Sequence, residues 1–287
     1  METSARRKIG IVTDEAANLS EDFVLKHDIE VAKYPVWFPD EDEEIKDTKT
    51  LYQRMREIKK TATTSAPPPL RFKKAYKRSL EKFDKVLVIL LFKGWSGTFD
   101  SATQARDQMS VEEQERIELF DTHLASVAEG LVVWKAQELV NEGKELSEIL
   151  KILEEFKEGV KLLAFMEDLV WLVHGGRLHE PWATPALALQ KAGVRPAIGI
   201  VGGQVKMTGL KLFSKDIITA IINELKRVSR KGKVRLAVAH ADVSEESLSR
   251  LKRGIEELGA ETLFVSQLTP LIGSHTGPGT IMVAYHY

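Results

Sequence analysis

One stretch, residues 86–102, constrains the fold of this chain more than any other. Residues 86–92 form a run of seven apolar residues rich in β-formers, which ends shortly before Gly94. Hydroxyl-bearing residues follow, and Thr98 begins a segment of helix-forming residues. This order predicts a buried strand that leads directly into the N-terminus of a helix.

The predicted junction between this strand and helix is suited to binding an anion. The first helical turn has free backbone N–H groups, and the helix dipole favours negative charge there. Gly97 would let a ligand approach the backbone closely, and Ser96 and Thr98 would add hydroxyl donors. The same hydroxyls also suit a simple helix cap, so this stretch alone leaves both interpretations open.

Composition predicts an ordinary globular protein and excludes some partners. The chain has 287 residues, of which 43% are hydrophobic and 29% charged, enough to bury a sizeable core. The net charge of -1 provides no basic face for nucleic acid or for an anionic membrane. We therefore expect no nucleic-acid partner and at most transient membrane contact.

Cysteine content and the N-terminal residues bear on chemistry and location. The chain contains no cysteine, which excludes disulfides, thiolate metal sites and a cysteine nucleophile. The first residues lack the apolar run of a signal peptide, and no segment reaches membrane-spanning length. These features predict a soluble cytoplasmic protein.

The first 160 residues alternate apolar runs with segments of helical spacing. Strands are predicted at 8–13, 31–38, 86–92 and 117–120. Helices are predicted at 16–25, 50–60, 70–83, 98–109, 125–141 and 146–156. Repeated β–α order is typical of a parallel sheet covered on both faces.

The rest of the chain predicts a second α/β unit, so we expect domains at 1–160 and 161–287. Its strands are predicted at 160–165, 194–201, 205–207, 234–240, 262–266 and 281–285. Its helices are predicted at 186–191, 215–226 and 242–258. Because Pro196 lies inside one predicted strand, that strand is expected at a sheet edge.

Three further stretches carry groups that could contact an anion. Residues 274–279 combine His275 with two hydroxyls and two glycines, which predicts a tight turn presenting donors at a strand end. Arg177 directly follows a Gly-Gly turn. Thr64 and Ser65 precede three consecutive prolines, where they could cap the next helix or supply hydroxyls to the anion site.

A serine hydrolase using Ser96 and His275 is a rival interpretation, because such pairs are defined by geometry rather than spacing. The nucleophile elbow requires Gly-x-Ser-x-Gly, and here Thr98 stands where the last glycine belongs. No phosphate-binding loop, kinase signature or His-Glu-x-x-His zinc motif is present in the sequence.

Six motifs together resemble the DegV family, and they occur in order over the whole chain. They are Lys-Ile-Gly-Ile-Val-Thr-Asp at 8–14, Thr-Ser-Ala-Pro at 64–67, Ser-Gly-Thr-Phe at 96–99, Ser-Val-Ala-Glu-Gly at 126–130, Gly-Gly-Arg at 175–177 and Ser-His-Thr-Gly-Pro-Gly at 274–279. Each motif alone is weak, whereas six in series are strong.

The resemblance implies a two-domain α/β fold with a parallel N-terminal sheet and a mixed C-terminal sheet. It further implies a long-chain fatty acid in the cleft between the domains, presented to a separate ATP-dependent fatty acid kinase subunit. The protein would then be a lipid-binding subunit rather than an enzyme, with no catalytic residue, metal or cofactor besides the bound lipid.

The resemblance also assigns candidate site residues. The carboxylate of the fatty acid would be held by hydroxyls, backbone and a histidine, at Thr64, Ser65, Ser96, Gly97, His275 and Thr276. Arg177 would contact the acyl phosphate. Two alternatives stay open at this point: the serine hydrolase, and a carrier or sensor of another amphipathic carboxylate.

Overall fold

The computed structural model describes residues 7–41, 43–178, 181–211, 216–230 and 232–286, which form an α/β protein. Its strands are β1 (Arg7–Asp14), β2 (Glu30–Ala32), β3 (Val36–Trp37), β4 (Thr63–Thr64), β5 (Phe83–Leu90), β6 (Ile117–Asp121), β7 (Lys161–Phe165), β8 (Arg195–Val201), β9 (Gln204–Lys211), β10 (Arg235–His240), β11 (Glu261–Gln267) and β12 (Ile281–His286).

Most strands are separated by helices, as the sequence predicts. The helices are α1 (Glu21–His27), α2 (Thr48–Ile58), α3 (Pro69–Lys82), α4 (Thr98–Asp107), α5 (Val111–Gln114), α6 (Val127–Asn141), α7 (Leu146–Gly159), α8 (Val170–His174), α9 (Ala183–Lys191), α10 (Ile217–Ser229), α11 (Glu245–Glu257) and α12 (Pro270–Thr276). A short 3-10 turn, Glu15–Ala17, follows β1.

The first sheet has the strand order β2-β1-β5-β6, and all its pairings are parallel. β5 is a central strand, and residues 86–90 within it are fully buried. The predicted buried strand at 86–92 is confirmed, although it begins and ends slightly earlier. Because parallel strands share a direction, the carboxyl ends of β1 and β5 meet at one edge, where Asp14 accepts a hydrogen bond from the Leu91 N–H.

The second sheet is mixed, as the resemblance implies. Its strand order is β11-β10-β12-β7-β8-β9. β10 pairs with β11 in parallel, whereas its pairing with β12 and the remaining pairings are antiparallel. The fold class predicted from the sequence is therefore confirmed.

Pro196 does not mark an edge strand, so that prediction is wrong. It lies in β8, which lies between β7 and β9. β8 pairs with β7 only at Ala164 and Ile198, whereas its pairing with β9 extends over the whole strand. The proline lies outside the short pairing with β7, and the sheet interior therefore tolerates its missing N–H.

The single strand predicted at 31–38 is wrong as well, because the chain divides it into β2 and β3. The Tyr34 N–H donates to the Glu15 carboxylate at 3.0 Å instead of to a neighbouring strand. The next residue, Pro35, has no N–H to donate. β2 therefore joins the first sheet, whereas β3 pairs with β4 in a separate two-stranded sheet.

The stretch at 274–279 was expected to be a tight turn, but its first three residues form the last turn of α12. Pro270 occupies the first helical position, where its missing N–H is harmless. The helix ends at Gly277, whose φ of 75° lies in the left-handed region that favours glycine. Ser274 and Thr276 donate their hydroxyls to carbonyls of the same helix, at 2.7 and 2.9 Å.

Helix α6 packs against both sheets and joins their cores. It contacts β1 and β5 of the first sheet and β10 and β12 of the second, and ten of its residues are buried. A side chain at Gly130 would overlap the Ala17 carbonyl, so this glycine lets α6 lie against the 3-10 turn. One apolar cluster consequently contains residues of both sheets. The proposed boundary at 160 separates the sheets but divides this cluster.

Candidate functional site

An apolar cavity of about 290 Å³ lies between the two sheets. Strand side chains alternate between faces, so Leu162 and Ala164 of β7 both face the cavity, and Met166 directly after the strand lines it as well. The set that we call the apolar wall lines the cavity from the second sheet and comprises Leu162, Ala164, Met166, Ile198, Ile200 and Met282.

Polar side chains from four distant segments line the same cavity. The predicted residues that it brings together are Thr64, Ser65, Ser96, Arg177, His275 and Thr276. We call Thr64, Ser96, Arg177 and His275, all of which line this cavity, the polar end. Gly97 instead lines a shallower depression beside Pro67–Pro69.

Thr64 and His275 meet because β4 runs beside the last turn of α12. The Thr64 Oγ1 and the His275 Nε2 lie 3.2 Å apart, in a hydrogen bond whose direction follows the imidazole tautomer. Burial and the nearby Arg177 lower the pKa of His275 to about 4, and the Gly175 backbone opposes this only weakly. At neutral pH the empty site therefore holds a neutral imidazole.

Arg177 supplies the positive charge of the polar end. It follows the turn that ends α8, and its guanidinium donates to the Gly175 carbonyl at 3.4 Å. Burial lowers its pKa, but a guanidinium stays charged at any physiological pH. The same residue also lines an adjoining, more polar cavity of about 380 Å³, together with Trp95, Trp182 and Lys206. Arg177 thus forms part of the boundary between the two cavities.

Ser96 belongs to a chain of three hydroxyl groups whose two ends, Ser96 and Tyr34, both line the cavity. Its Oγ lies 2.7 Å from the Thr98 Oγ1, which lies 2.7 Å from the Tyr34 hydroxyl. The Ser96 Oγ also accepts the Thr98 N–H at 3.3 Å. The N-cap position of α4 is Gly97, so Ser96 bonds the first N–H of the helix from the residue before the cap and also lines the cavity.

A pair of buried carboxyl groups lies behind this chain. Burial raises the pKa of Asp14 to about 7, against the lowering effect of hydrogen bonds from the Leu91 and Ala16 N–H groups and from Tyr34. Burial and the neighbouring Asp14 raise the pKa of Glu129 well above its usual range. Within the described ranges, no cluster of three or more His, Asp or Glu side chains could hold a metal ion.

Ser126 adds one more polar group to the cavity lining. Its φ of 57° and ψ of -150° are adopted almost only by glycine, so its backbone is strained. Its hydroxyl accepts from the Asn18 side chain at 3.2 Å and donates to the Met282 Sδ at 3.1 Å. The sequence analysis recorded Ser126 as part of a motif but did not assign it to the cavity.

Sequence reasoning also missed Tyr34 and Asp14 as neighbours of the polar end. Tyr34 was placed inside a continuous strand, although the following proline is a signal that the strand breaks there. Asp14 was recorded only as the last residue of the motif at 8–14. A carboxylate that follows a buried strand of a parallel sheet lies at the edge where ligands bind, and that rule could have identified it.

The hydrolase interpretation receives no support from these contacts. Among the residues that the structure describes, Ser96 hydrogen-bonds with Thr98, and the His275 Nε2 bonds with Thr64. A histidine with a pKa of about 4 is also a weak general base at neutral pH. No nucleophile–base pair is therefore formed by these two residues.

The two sheets and the cavity between them define a class, the α/β proteins with two sheets and an apolar cavity bordered by polar groups. The chain belongs to the DegV family, because the model of that family, described as "Uncharacterised protein, DegV family", matches residues 8–287. The resemblance drawn from the six motifs is therefore confirmed.

Curated relatives match over nearly their whole length. Protein DegV of Bacillus subtilis is 30% identical over 96% of this chain and 98% of its own. A protein named "Fatty acid-binding protein" in Thermotoga maritima is 30% identical, with 96% of each chain covered. A solved DegV-family structure from Thermus thermophilus, described as showing fatty acid binding, is 26% identical, with a TM-score of 0.82 over 97% of this chain and 99% of that chain.

Among the residues that the structure describes, none of the helices has both the length and the apolar character needed to cross a bilayer.

Proposed function

We propose that this protein binds one long-chain fatty acid in the apolar cavity, with its carboxylate at the polar end. The observation that carries the proposal is the junction of an apolar wall with hydroxyls, a neutral imidazole and a partly buried guanidinium in one cavity. Relatives named for fatty acid binding match nearly the entire chain, which supports this assignment.

The apolar wall would supply most of the affinity. Each methylene that leaves water contributes about 0.8 kcal/mol, and this contribution does not depend on orientation. A buried carboxylate is costly without partners, so the polar end would select the ligand. Ser96 would donate a hydrogen bond, as would whichever of Thr64 and His275 does not give its proton to their mutual hydrogen bond. Arg177 would neutralise the charge.

The other predicted residues have smaller roles in this proposal. Ser65 and Thr276 line the cavity, and the Thr276 hydroxyl is already donated within α12. Its oxygen lone pairs could not help a carboxylate. Gly97 lies outside the lining, and we leave it out of the proposed contact set.

We further propose that the protein presents its fatty acid to a separate ATP-dependent kinase subunit. A carboxylate bound beside Arg177 would lie next to the second, more polar cavity, into which an added phosphoryl group could extend. Arg177 would then contact the acyl phosphate. Because that reaction consumes ATP, we place the protein in the cytoplasm, acting as an accessory subunit rather than an enzyme.

Native mass spectrometry of the purified protein tests the first proposal. We expect one fatty acid of about C14–C18 per chain, identified after denaturing extraction. Protein that is empty and takes up neither palmitate nor oleate would contradict the assignment. Turnover of a chromogenic acyl ester that is lost in Ser96→Ala would instead favour the hydrolase.

The kinase proposal needs a separate test. The loaded protein is mixed with ATP and an ATP-binding fatty acid kinase subunit, and any acyl phosphate is trapped as a hydroxamate with hydroxylamine. We expect hydroxamate only when both proteins are present. Arg177→Gln should reduce the yield even when the fatty acid is supplied at saturation, whereas unchanged yield would contradict the role of Arg177.

A further inference from the structure

Contacts around Asn18 fix the two sheets to each other on one side of the cavity. Asn18 follows β1 of the first sheet, and its side chain accepts the Thr269 N–H at 2.7 Å and donates to the Ser126 hydroxyl. The hydroxyl of Ser266, in β11 of the second sheet, donates to the Asn18 carbonyl. Helix α6 also packs on both sheets. Separating the sheets on this side to admit a long acyl chain would break all of these contacts.

The hairpin formed by β8 and β9 is attached to the second sheet less firmly. It lies at the edge of the sheet, and β8 pairs with β7 only through Ile198 and Ala164. At this point the pairing of β8 with β9 shifts register, between Ala197 and Ile198. Such a bulge bends the strand and interrupts its pairing. In the described part of the chain, residues 199–206 beyond the bulge pair only with each other, and we call this segment the flap.

The flap covers the apolar cavity and borders the adjoining one. Ile200 and Val205 are paired across the hairpin, and both line the apolar cavity. Val205 also lines the second cavity, as do Trp95 and Arg177, so the two cavities meet at these three residues. No side chain of the flap forms a hydrogen bond or an ion pair with another described residue. Apolar packing alone therefore holds the flap side chains over the cavity.

The tip of the flap rests on the ring of Phe92, which follows β5. The tip is a two-residue turn, Gly202 and Gly203, whose φ values of 59° and 66° suit a tight hairpin turn. A Cβ at Gly203 would lie 2.8 Å from the Phe92 ring, whereas one at Gly202 would meet nothing within 4 Å. Phe92 is itself held by edge contacts with Trp95 and His123, at centroid distances of 5.6 and 5.0 Å. The missing side chain at Gly203 thus lets the tip close onto a fixed ring.

We propose that the flap is the gate of the fatty acid cavity, and that the contact between Gly203 and Phe92 holds it closed. Rotation of the flap about the bulge would lift Ile200 and Val205 away and open a passage into the adjoining cavity. This inference rests on the proposed fatty acid binding and adds the route that the ligand takes. A gate that closes over both the empty and the loaded cavity changes the rates of entry and release equally, so it leaves the affinity unchanged.

Release of cis-parinarate, a fluorescent fatty acid, into excess serum albumin measures gate opening by stopped flow. Phe92→Ala removes the ring on which the tip rests. We expect release to become at least about fivefold faster and binding to accelerate by the same factor, with the equilibrium Kd within about twofold of wild type. Unchanged rates in Phe92→Ala would overturn the inference.

The two adjacent glycines of the tip provide a matched pair of variants. Gly203→Ala places a methyl group against the Phe92 ring, so release should accelerate as it does in Phe92→Ala. Gly202→Ala imposes a similar left-handed backbone strain but meets no neighbour, so it should behave as wild type. Equal acceleration in both glycine variants would assign the effect to strain in the turn and would overturn the inference.

Hydrogen exchange observes the gate without any substitution. In delipidated wild-type protein, amides of residues 199–206 should exchange faster than those of β7, and bound fatty acid should slow them. Exchange as slow as that of β7 would contradict a mobile flap.

A further variant tests a rival route between α2 and α12. Tyr52→Phe removes the hydrogen bond from α2 to the Leu268 carbonyl, and we expect it to release cis-parinarate at the wild-type rate. Faster release in Tyr52→Phe with normal release in Phe92→Ala would overturn the inference while fatty acid binding stands. Failure of wild-type protein to take up cis-parinarate would instead contradict the proposed function itself.

Discussion

The apolar wall and the polar end of the cavity are built by different parts of the chain in different ways. The wall comes mostly from regular strands of one sheet. In such strands every second side chain faces the cavity because of the strand geometry alone. The polar end comes from β4, the loop before α4, the turn after α8 and the last turn of α12. The wall is therefore tolerant of conservative change, whereas the polar end depends on four independently placed groups.

Filling the cavity beside the apolar wall should have the largest effect on fatty acid binding. Ala164 is buried in β7 and lines the cavity, so Ala164→Trp places an indole where the acyl chain would lie. We expect complete loss of co-purified fatty acid by native mass spectrometry. The control is Ala192→Trp, at an exposed position after α9, which should bind normally. Full occupancy in a folded Ala164→Trp protein would place the ligand elsewhere.

Acid should destabilise the fatty-acid-free protein through His275 of the polar end. The pKa of His275 is about 4 in the folded protein, against 6.5 for an unperturbed histidine. Between these values the unfolded chain binds more protons, so stability falls as the pH drops from 6.5 to 4, by about 3 kcal/mol in total. Comparing urea unfolding at pH 7 and 4 should show a smaller loss for His275→Gln. An equal loss in both proteins would exclude this histidine as the cause.

Removing the positive charge of Arg177 should weaken binding of the carboxylate without affecting the contacts between the acyl chain and the apolar wall. A hydrogen bond to a charged group is worth about 1.5–3 kcal/mol, so Arg177→Gln should weaken myristate binding by roughly 10- to 100-fold. Binding of a fatty alcohol of the same length should change little. Lys206→Gln, in the adjoining cavity, is the matched control. An equal effect on acid and alcohol would mean that Arg177 acts through the fold.

Removing a single hydroxyl of the polar end should have the smallest effect on fatty acid binding. A neutral hydrogen bond contributes about 1 kcal/mol, so Ser96→Ala should raise the Kd for myristate about fivefold. Ser79→Ala is a suitable control, because Ser79 is buried and packs away from the cavity in α3. Equilibrium binding of myristate at pH 7 gives the Kd of both variants. No change in Ser96→Ala would remove this residue from the contact set.

Elements with strong local signals could be predicted from the sequence. The apolar run at 86–92, the helix starting at Thr98 and the helix predicted at 242–258 all appear as the residue patterns indicate, although the last begins at Glu245. The errors occur where tertiary contacts override local preference. Tyr34 is diverted from its strand by the Glu15 carboxylate, and Pro196 is tolerated inside a sheet because pairing with β7 is short.

Only the polar end of the candidate site could be predicted from the sequence. Motifs singled out Thr64, Ser96, Arg177 and His275, and the fold brings them to one cavity. The apolar wall could not be identified, because Ala164 or Ile198 in a buried strand looks like any other core residue. The contact between Tyr34 and Thr98 could not be foreseen either, since it depends on β2 and β5 both pairing with β1.

Helix α6 makes the two halves of the molecule depend on each other for folding. Its buried face is shared between both sheets, and Gly130 holds it against the turn that follows β1. A fragment ending at residue 160 would leave the face that packs on β10 and β12 exposed to water. The chain should consequently melt in one cooperative transition by calorimetry, and the cleft would exist only in the intact chain.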